Sequence, residues 1–141
     1  MILLVEDNQD DEELTLRAFR KNQIPNAIVV ARTGEEALGF LLHDPSDGVH
    51  RPPRSFRLVL LDLNLPRIGG FEVLRQIRGF ARTRLVPVIV LSSSKEDEDV
   101  TTSYTLGANS YLCKPTGLAE FVSAVQVIGA FWLSLNILPP A

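Results

Sequence analysis

Short apolar runs alternate with amphipathic helical stretches along the whole chain, and this alternation limits the possible folds more than any other feature. Ile2–Val5, residues 27–31, 58–61 and 86–91, and Ser110–Cys113 read as strands of largely apolar character, not apolar only at every second position. A strand of that kind is buried on both faces. Between the strands lie helical patterns. Asn8 to Asp11 supply capping candidates for a helix carrying Leu14, Ala18 and Phe19. Thr33-Gly34-Glu35-Glu36 opens a short helix that runs through Leu42, and Gly69-Gly70 precedes one with Phe71, Leu74 and Ile77 on one face. The polar stretch 92–99 leads into a weaker helix through Leu106, and a last helix is expected over residues 116–138. Strand and helix in strict alternation predict an α/β fold: a doubly wound, five-stranded parallel sheet covered on both sides. Pro87 fits near the start of its strand, where a missing donor is tolerated.

The rhythm breaks once. Residues 43–57 contain Pro45, Gly48, Pro52 and Pro53, and read as a loop insertion longer than the usual connection of roughly 2–6 residues. The whole chain of 141 residues otherwise reads as a single domain. A formal net charge of -3 without any Lys/Arg run gives no sign of a nucleic-acid partner. The apolar stretches read as strand-sized or broken by charges, short of the roughly 20 residues of a membrane span. The apolar start runs straight into Glu6-Asp7, which is not the pattern of a secretory signal. One cysteine, Cys113, excludes an intrachain disulfide and reads as a small core residue of the fifth strand. The expected setting is the cytoplasm.

In open parallel sheets the functional crevice lies beyond the carboxyl ends of the strands. The polar residues fall there. Strand one runs into Glu6-Asp7, strand three into Asp62, strand four into Ser92 and strand five into Lys114-Pro115. Any one of these could be a turn residue; complementary chemistry at four strand ends is harder to assign to chance. Three carboxylates brought together repel, so one must hold its proton or a cation must sit among them. An all-oxygen set without His or Cys suits a hard ion such as Mg²⁺ rather than zinc. With the acids neutralised, Asp62 is placed to act as nucleophile toward a phosphoryl group, and Lys114 and Ser92 to hold its oxygens.

The segments ILLVEDN, LLDLNLPRIGG, VIVLSSS and GANSYLCKP, in that order, resemble the receiver domain of two-component response regulators over nearly the whole chain, from Ile2 into the final helix. The resemblance implies a flavodoxin-like (βα)5 sheet with strand order 2-1-3-4-5. It implies that Asp62 takes a phosphoryl group from a histidine kinase. It also implies Mg²⁺ ligation by Asp7, Asp62 and the backbone carbonyl of Asn64, with Glu6 acting through water. Ser92 and Lys114 match the family's switch hydroxyl and phosphate-binding lysine, and Tyr111 matches its inward-turning aromatic position. Pro66 and Gly70 match the turn after the acceptor, and the positions of Asn64 and Ser94 influence attack by water. Glu6 in place of Asp and Ser92 in place of Thr are conservative departures. The long loop, the VEDN opening and the Phe131-Trp132-Leu133 ending resemble single-domain regulators paired with bacterial phytochromes. With no effector domain expected, the signal would pass by conformational or oligomeric change, to an adaptor partner or a phosphotransfer protein.

Two other functions compete. A phosphatase working through an aspartyl-phosphate typically carries a second carboxylate two residues after the nucleophile, where this chain has Asn64. A pseudo-receiver scaffold would lack an acid, the hydroxyl or the lysine, and all are present. The acids Asp10-Asp11-Glu12-Glu13 read as complement to a helix dipole, and His43 and His50 as solvated loop residues. In the last helix Leu118, Phe121, Val122, Val125, Ile128 and Trp132 form one stripe for the sheet. Ala124, Val127, Phe131 and Leu135 form a second, which reads as a homodimer contact in preference to a broad buried face.

Overall fold

Five strands, β1 (Ile2–Val5), β2 (Ile28–Ala31), β3 (Leu58–Asp62), β4 (Val88–Ser92) and β5 (Ser110–Cys113), pair in parallel in the order β2-β1-β3-β4-β5. The computed structural model describes residues 1–42 and 56–140. The loop insertion expected over 43–57, with His43 and His50, lies outside the described residues except for Phe56 and Arg57.

Because side chains alternate across a strand, each strand contributes to two cores. Leu3, Val5, Val59, Leu61, Val88 and Val90 meet helices α2 (Gly34–Leu41) and α3 (Gly70–Gly79) on one face. Ile2, Leu4, Leu58, Leu60, Ile89 and Leu91 meet α1 (Gln9–Lys21) and α5 (Leu118–Ile128) on the other. The helices begin where the capping residues predict: Asn8 accepts the Asp11 N–H at 3.0 Å, and Thr33 accepts the Glu36 N–H at 3.0 Å. Helix α4 (Asp97–Thr105) buries only Ser103, so the sheet holds it less firmly than its neighbours.

Several local readings change. In α3 it is Val73 that joins Leu74 and Ile77 in the core, while Phe71 is half-buried. β4 starts at Val88: Pro87 has no N–H to give to the ladder, although its carbonyl accepts the Val59 N–H at 2.9 Å. Cys113 is exposed rather than in the core, at the end of the edge strand β5.

The final helix differs most. It begins at Leu118 and ends at Leu135, and over Gly129–Leu135 it loosens into a π-helical segment. Gly129 lies so close to the turn after α1 that a Cβ there would come within 2.9 Å of Ile24 Cδ1. From Leu118 to Leu135 this is one helix long and apolar enough, by length and composition, to cross a membrane, contrary to the expectation of strand-sized apolar runs only. Its inner residues Phe121, Val125 and Ile128 are spent on the sheet.

Gly70 shows how tightly β3 is joined to the helix that follows. A Cβ there would stand 2.5 Å from the Asp62 carbonyl oxygen and 2.6 Å from Leu63 Cα, backbone atoms with no room to yield. Gly70→Ala is expected to destabilise the fold by about 1–3 kcal/mol in urea unfolding. Gly79→Ala, with nothing within 4 Å of its Cβ, is the control and should leave the midpoint unchanged or slightly raised.

Candidate functional site

Strand register assembles the site. Val5 lies opposite Leu61, so the next residues, Glu6 and Asp62, emerge side by side. Asp62 lies opposite Leu91 and Ser92 opposite Cys113, which brings Ser92 and Lys114 to the same edge. The Lys114 N–H donates to the Ser92 carbonyl at 2.8 Å and carries the ladder one step past β5.

Two of the acids are buried, Glu6 at 3% exposure and Asp62 at 4%. Lys114 answers both. Its Nζ lies 2.9 Å from Glu6 Oε2, 3.1 Å from Asp62 Oδ2 and 2.8 Å from Asp11 Oδ2. The remaining oxygens also have partners: Glu6 Oε1 accepts the Asn8 N–H at 3.1 Å, and Asp62 Oδ1 accepts the Asn64 N–H at 3.1 Å. Burial, aided by the charge of Asp62, raises the Glu6 carboxyl to about 7 despite the opposing pull of Lys114 and the Asn8 amide. Burial alone would lower the Lys114 ammonium. The hydrogen bonds to Asp11 and Glu6 and the charges of Asp62 and Glu6 outweigh it, so the lysine is held charged.

Asp7 is exposed at the rim, yet Glu6, Asp7 and Asp62 each bring a carboxylate oxygen within 4.8 Å of the others. Three convergent acids with no nitrogen or sulfur donor among them fit a hard divalent cation. Asn64 itself is exposed in the turn after β3.

On the far side, Ser92 is buried and its Oγ accepts the Ser94 N–H at 3.1 Å. Ser94 is a junction. Its hydroxyl donates to Asp99 Oδ2 at 2.6 Å and accepts the Glu96 N–H at 3.2 Å, while its carbonyl accepts the Tyr111 O–H at 2.8 Å. The half-buried Tyr111 is therefore tied to the β4–α4 loop that carries Ser92.

The sequence-predicted residues Glu6, Asp7, Asp62, Ser92 and Lys114 converge, with Asn64, Ser94 and Tyr111 around them. Ala124, Val127, Phe131 and Leu135 lie apart on the last helix. Ala124 is half-buried, while Val127 (68%), Phe131 (47%) and Leu135 (76%) are exposed, so a broad buried face is not what forms. Two site residues escaped the sequence reading, Asp11 and Asp99. Asp11 was assigned to the helix dipole along with its neighbours. Nothing local marks it out, because Asp7 precedes the Asn8 N-cap and the helical period of α1 does not extend to it.

Residues 2–126 match the response regulator receiver domain family. The response regulator Rcp1 of Synechocystis sp. is 37% identical over 141 residues, covering 100% of this chain and 94% of Rcp1. The solved structure of the Mn(2+)-bound form of Rcp1 superposes with a TM-score of 0.83 over 99% of this chain and 98% of that one, at 37% identity. The phosphorylated cyanobacterial phytochrome response regulator RcpA superposes with a TM-score of 0.85 at 38% identity, over 99% of this chain and 97% of its own. The bacteriophytochrome response regulator RtBRR superposes with a TM-score of 0.76 at 43% identity, over 99% of this chain and 83% of its own.

The raised Glu6 carboxyl has a measurable consequence. A carboxyl whose folded pKa lies above its unfolded value stabilises the fold while protonated. That stability is complete below about 4.5 and is lost as pH rises through about 7. With EDTA present, unfolding followed from pH 4.5 to 8 should show the wild type losing stability relative to Glu6→Gln across that window. Parallel curves would remove the raised carboxyl from the picture.

Proposed function

The chain belongs to the response regulator receiver domain family, and from that premise we propose that Asp62 is its phosphoryl acceptor. Receivers of this family partner with histidine kinases and bind a divalent metal at an acidic pocket. The observation that carries the assignment is the ion-pair cluster at the strand ends, where Asp62 is the one buried acid shared by Lys114 and the Asn64 amide.

In this reading Asp62 attacks the phosphorus of a kinase phosphohistidine. A P–O bond forms as the P–N bond breaks, and its electron pair returns to the imidazole. Lys114 follows the charge, since its contact with Asp62 Oδ2 passes to a phosphoryl oxygen once the acyl phosphate forms. Mg²⁺ is the ion we assign, held by Asp7, Asp62 and the Asn64 carbonyl, with Glu6 reached through water. When bound, it neutralises the acids and the incoming phosphoryl oxygens. Ser92 moves toward the phosphoryl group and gives up the Ser94 N–H, and Tyr111, bonded to the Ser94 carbonyl, shifts with the loop. Ser94 and Asn64 flank the path of attacking water and set the lifetime. Asn64 offers an amide where a turnover enzyme of this chemistry needs an acid, so the site works as a switch without independent substrate turnover.

The chain acts as one receiver domain over residues 1–141, with the 43–57 segment an insertion. We assign it to the cytoplasm on its similarity to response regulators. The similarity to RcpA and RtBRR supports a bacteriophytochrome as the kinase, with the signal going on to a phosphotransfer or effector protein. Ala124, Val127, Phe131 and Leu135 form the homodimer contact, since an exposed apolar row is costly for a monomer.

Incubation with acetyl phosphate and Mg²⁺ should add one phosphoryl group by intact mass, and Asp62→Asn should abolish it. A wild type that stays unmodified at every metal and donor concentration would sink the assignment. Phe131→Glu with Leu135→Glu should shift the protein from dimer to monomer in sedimentation velocity while leaving the adduct intact.

A further inference from the structure

Lys114 is fully committed. An ammonium carries three N–H donors, and here they meet three different carboxylates, on Glu6, Asp11 and Asp62. Two of those acids have an evident place in the site. Asp62 is the acceptor, and Glu6 belongs to the convergent oxygen cluster with Asp7 and Asp62. Asp11 is neither, yet at 2.8 Å it makes the shortest of the three contacts.

We propose that Asp11 is a positioning residue that acts on the phosphoryl group through Lys114: it draws part of the ammonium's charge away from the acceptor, weakens retention of the phosphoryl group and shortens the phosphorylated state. This rests on the reading of Asp62 as acceptor. When Asp62 becomes an acyl phosphate its own charge disappears, and a more highly charged phosphoryl group takes its place beside Lys114. Glu6 and Asp11 keep their hold on the other two N–H groups, so the phosphoryl oxygens meet an ammonium already shared with a neighbouring carboxylate. A second anion on the same cation repels the first and lowers the cation's field at the phosphoryl oxygens. The Asp11 side chain is 26% exposed, against 3% for Glu6 and 4% for Asp62, so its charge is the one most easily removed without leaving a buried orphan.

The main chain of Asp11 does not depend on the carboxylate. Its N–H is taken by Asn8 Oδ1 at 3.0 Å, and its carbonyl accepts the Thr15 hydroxyl at 2.7 Å. Removing the charge therefore leaves the first turn of α1 in place, and Lys114 retains Glu6 and Asp62.

The test uses beryllofluoride, a phosphoryl mimic, titrated at saturating Mg²⁺ by calorimetry, alongside decay of the phosphoryl adduct by intact mass. Asp11→Asn and Asp11→Ala should bind beryllofluoride about two- to fivefold more tightly than wild type, the scale of one partly exposed ion pair, and hold the phosphoryl group longer by a similar factor. Asp11→Glu, which restores the charge, should return both values toward wild type; a residue that merely shaped the helix would not give that pattern. If the wild type binds and both neutral variants bind no more tightly, this role of Asp11 is overturned while the acceptor assignment stands. If the wild type takes up neither beryllofluoride nor a phosphoryl group, the acceptor assignment fails and the role of Asp11 with it.

Discussion

Two carboxylates, Glu6 and Asp62, are buried beside one another at the centre of this protein's working edge, and one ammonium keeps them there. Buried like charges are among the least favourable arrangements a fold can hold, and breaking such a cluster by removing its cation leaves uncompensated charge in a low-dielectric place. The fold meets the cost by raising Glu6 toward neutrality and by placing Lys114 within 3.1 Å of each acid. The site is thus held ready for added positive charge, and a divalent cation and a phosphoryl group are a matched pair of additions.

The sheet makes this possible by being rigid where the site needs it. β1 and β3 are central strands, buried on both faces, and their register sets Glu6 against Asp62 without any loop choosing between positions. The close approach of Gly70 to the Asp62 backbone fixes the start of α3 against the end of β3. The other side of the site is looser. Ser92 ends a buried strand, but the loop beyond it is tied to α4 and β5 through single bonds at Ser94, and α4 itself buries little. Such a division, a firm side and a looser side, is what the proposed switch requires.

Much of the candidate site was legible in the chain because parallel sheets expose their strand ends in a predictable place. Asp62, Ser92 and Lys114 each follow an apolar run, and the end of a run is visible without coordinates. Asp11 was not legible in the same way. It lies in a helix beside three other acids, where negative charge is favourable at any N-terminus, and composition alone does not tell which of four acids faces inward. Asp99 was hidden for the same reason. Cys113 was misplaced because apolar character marks a strand but not how well the neighbouring helices cover its last residue.

The last helix shows where the boundary lies. The sequence by itself determined that it carries two apolar stripes, because the helical period is a property of local geometry. Which stripe meets the sheet, where Gly129 opens the helix into its wider form, and that Val127, Phe131 and Leu135 are left exposed were decided only by tertiary structure. The same holds for Asp62. Its type and its place after an apolar strand are local facts, whereas its burial and its bond to Lys114 depend on residues 52 apart in the chain being brought to one edge. Local pattern determines elements, and only long-range packing determines which charges must share a cation.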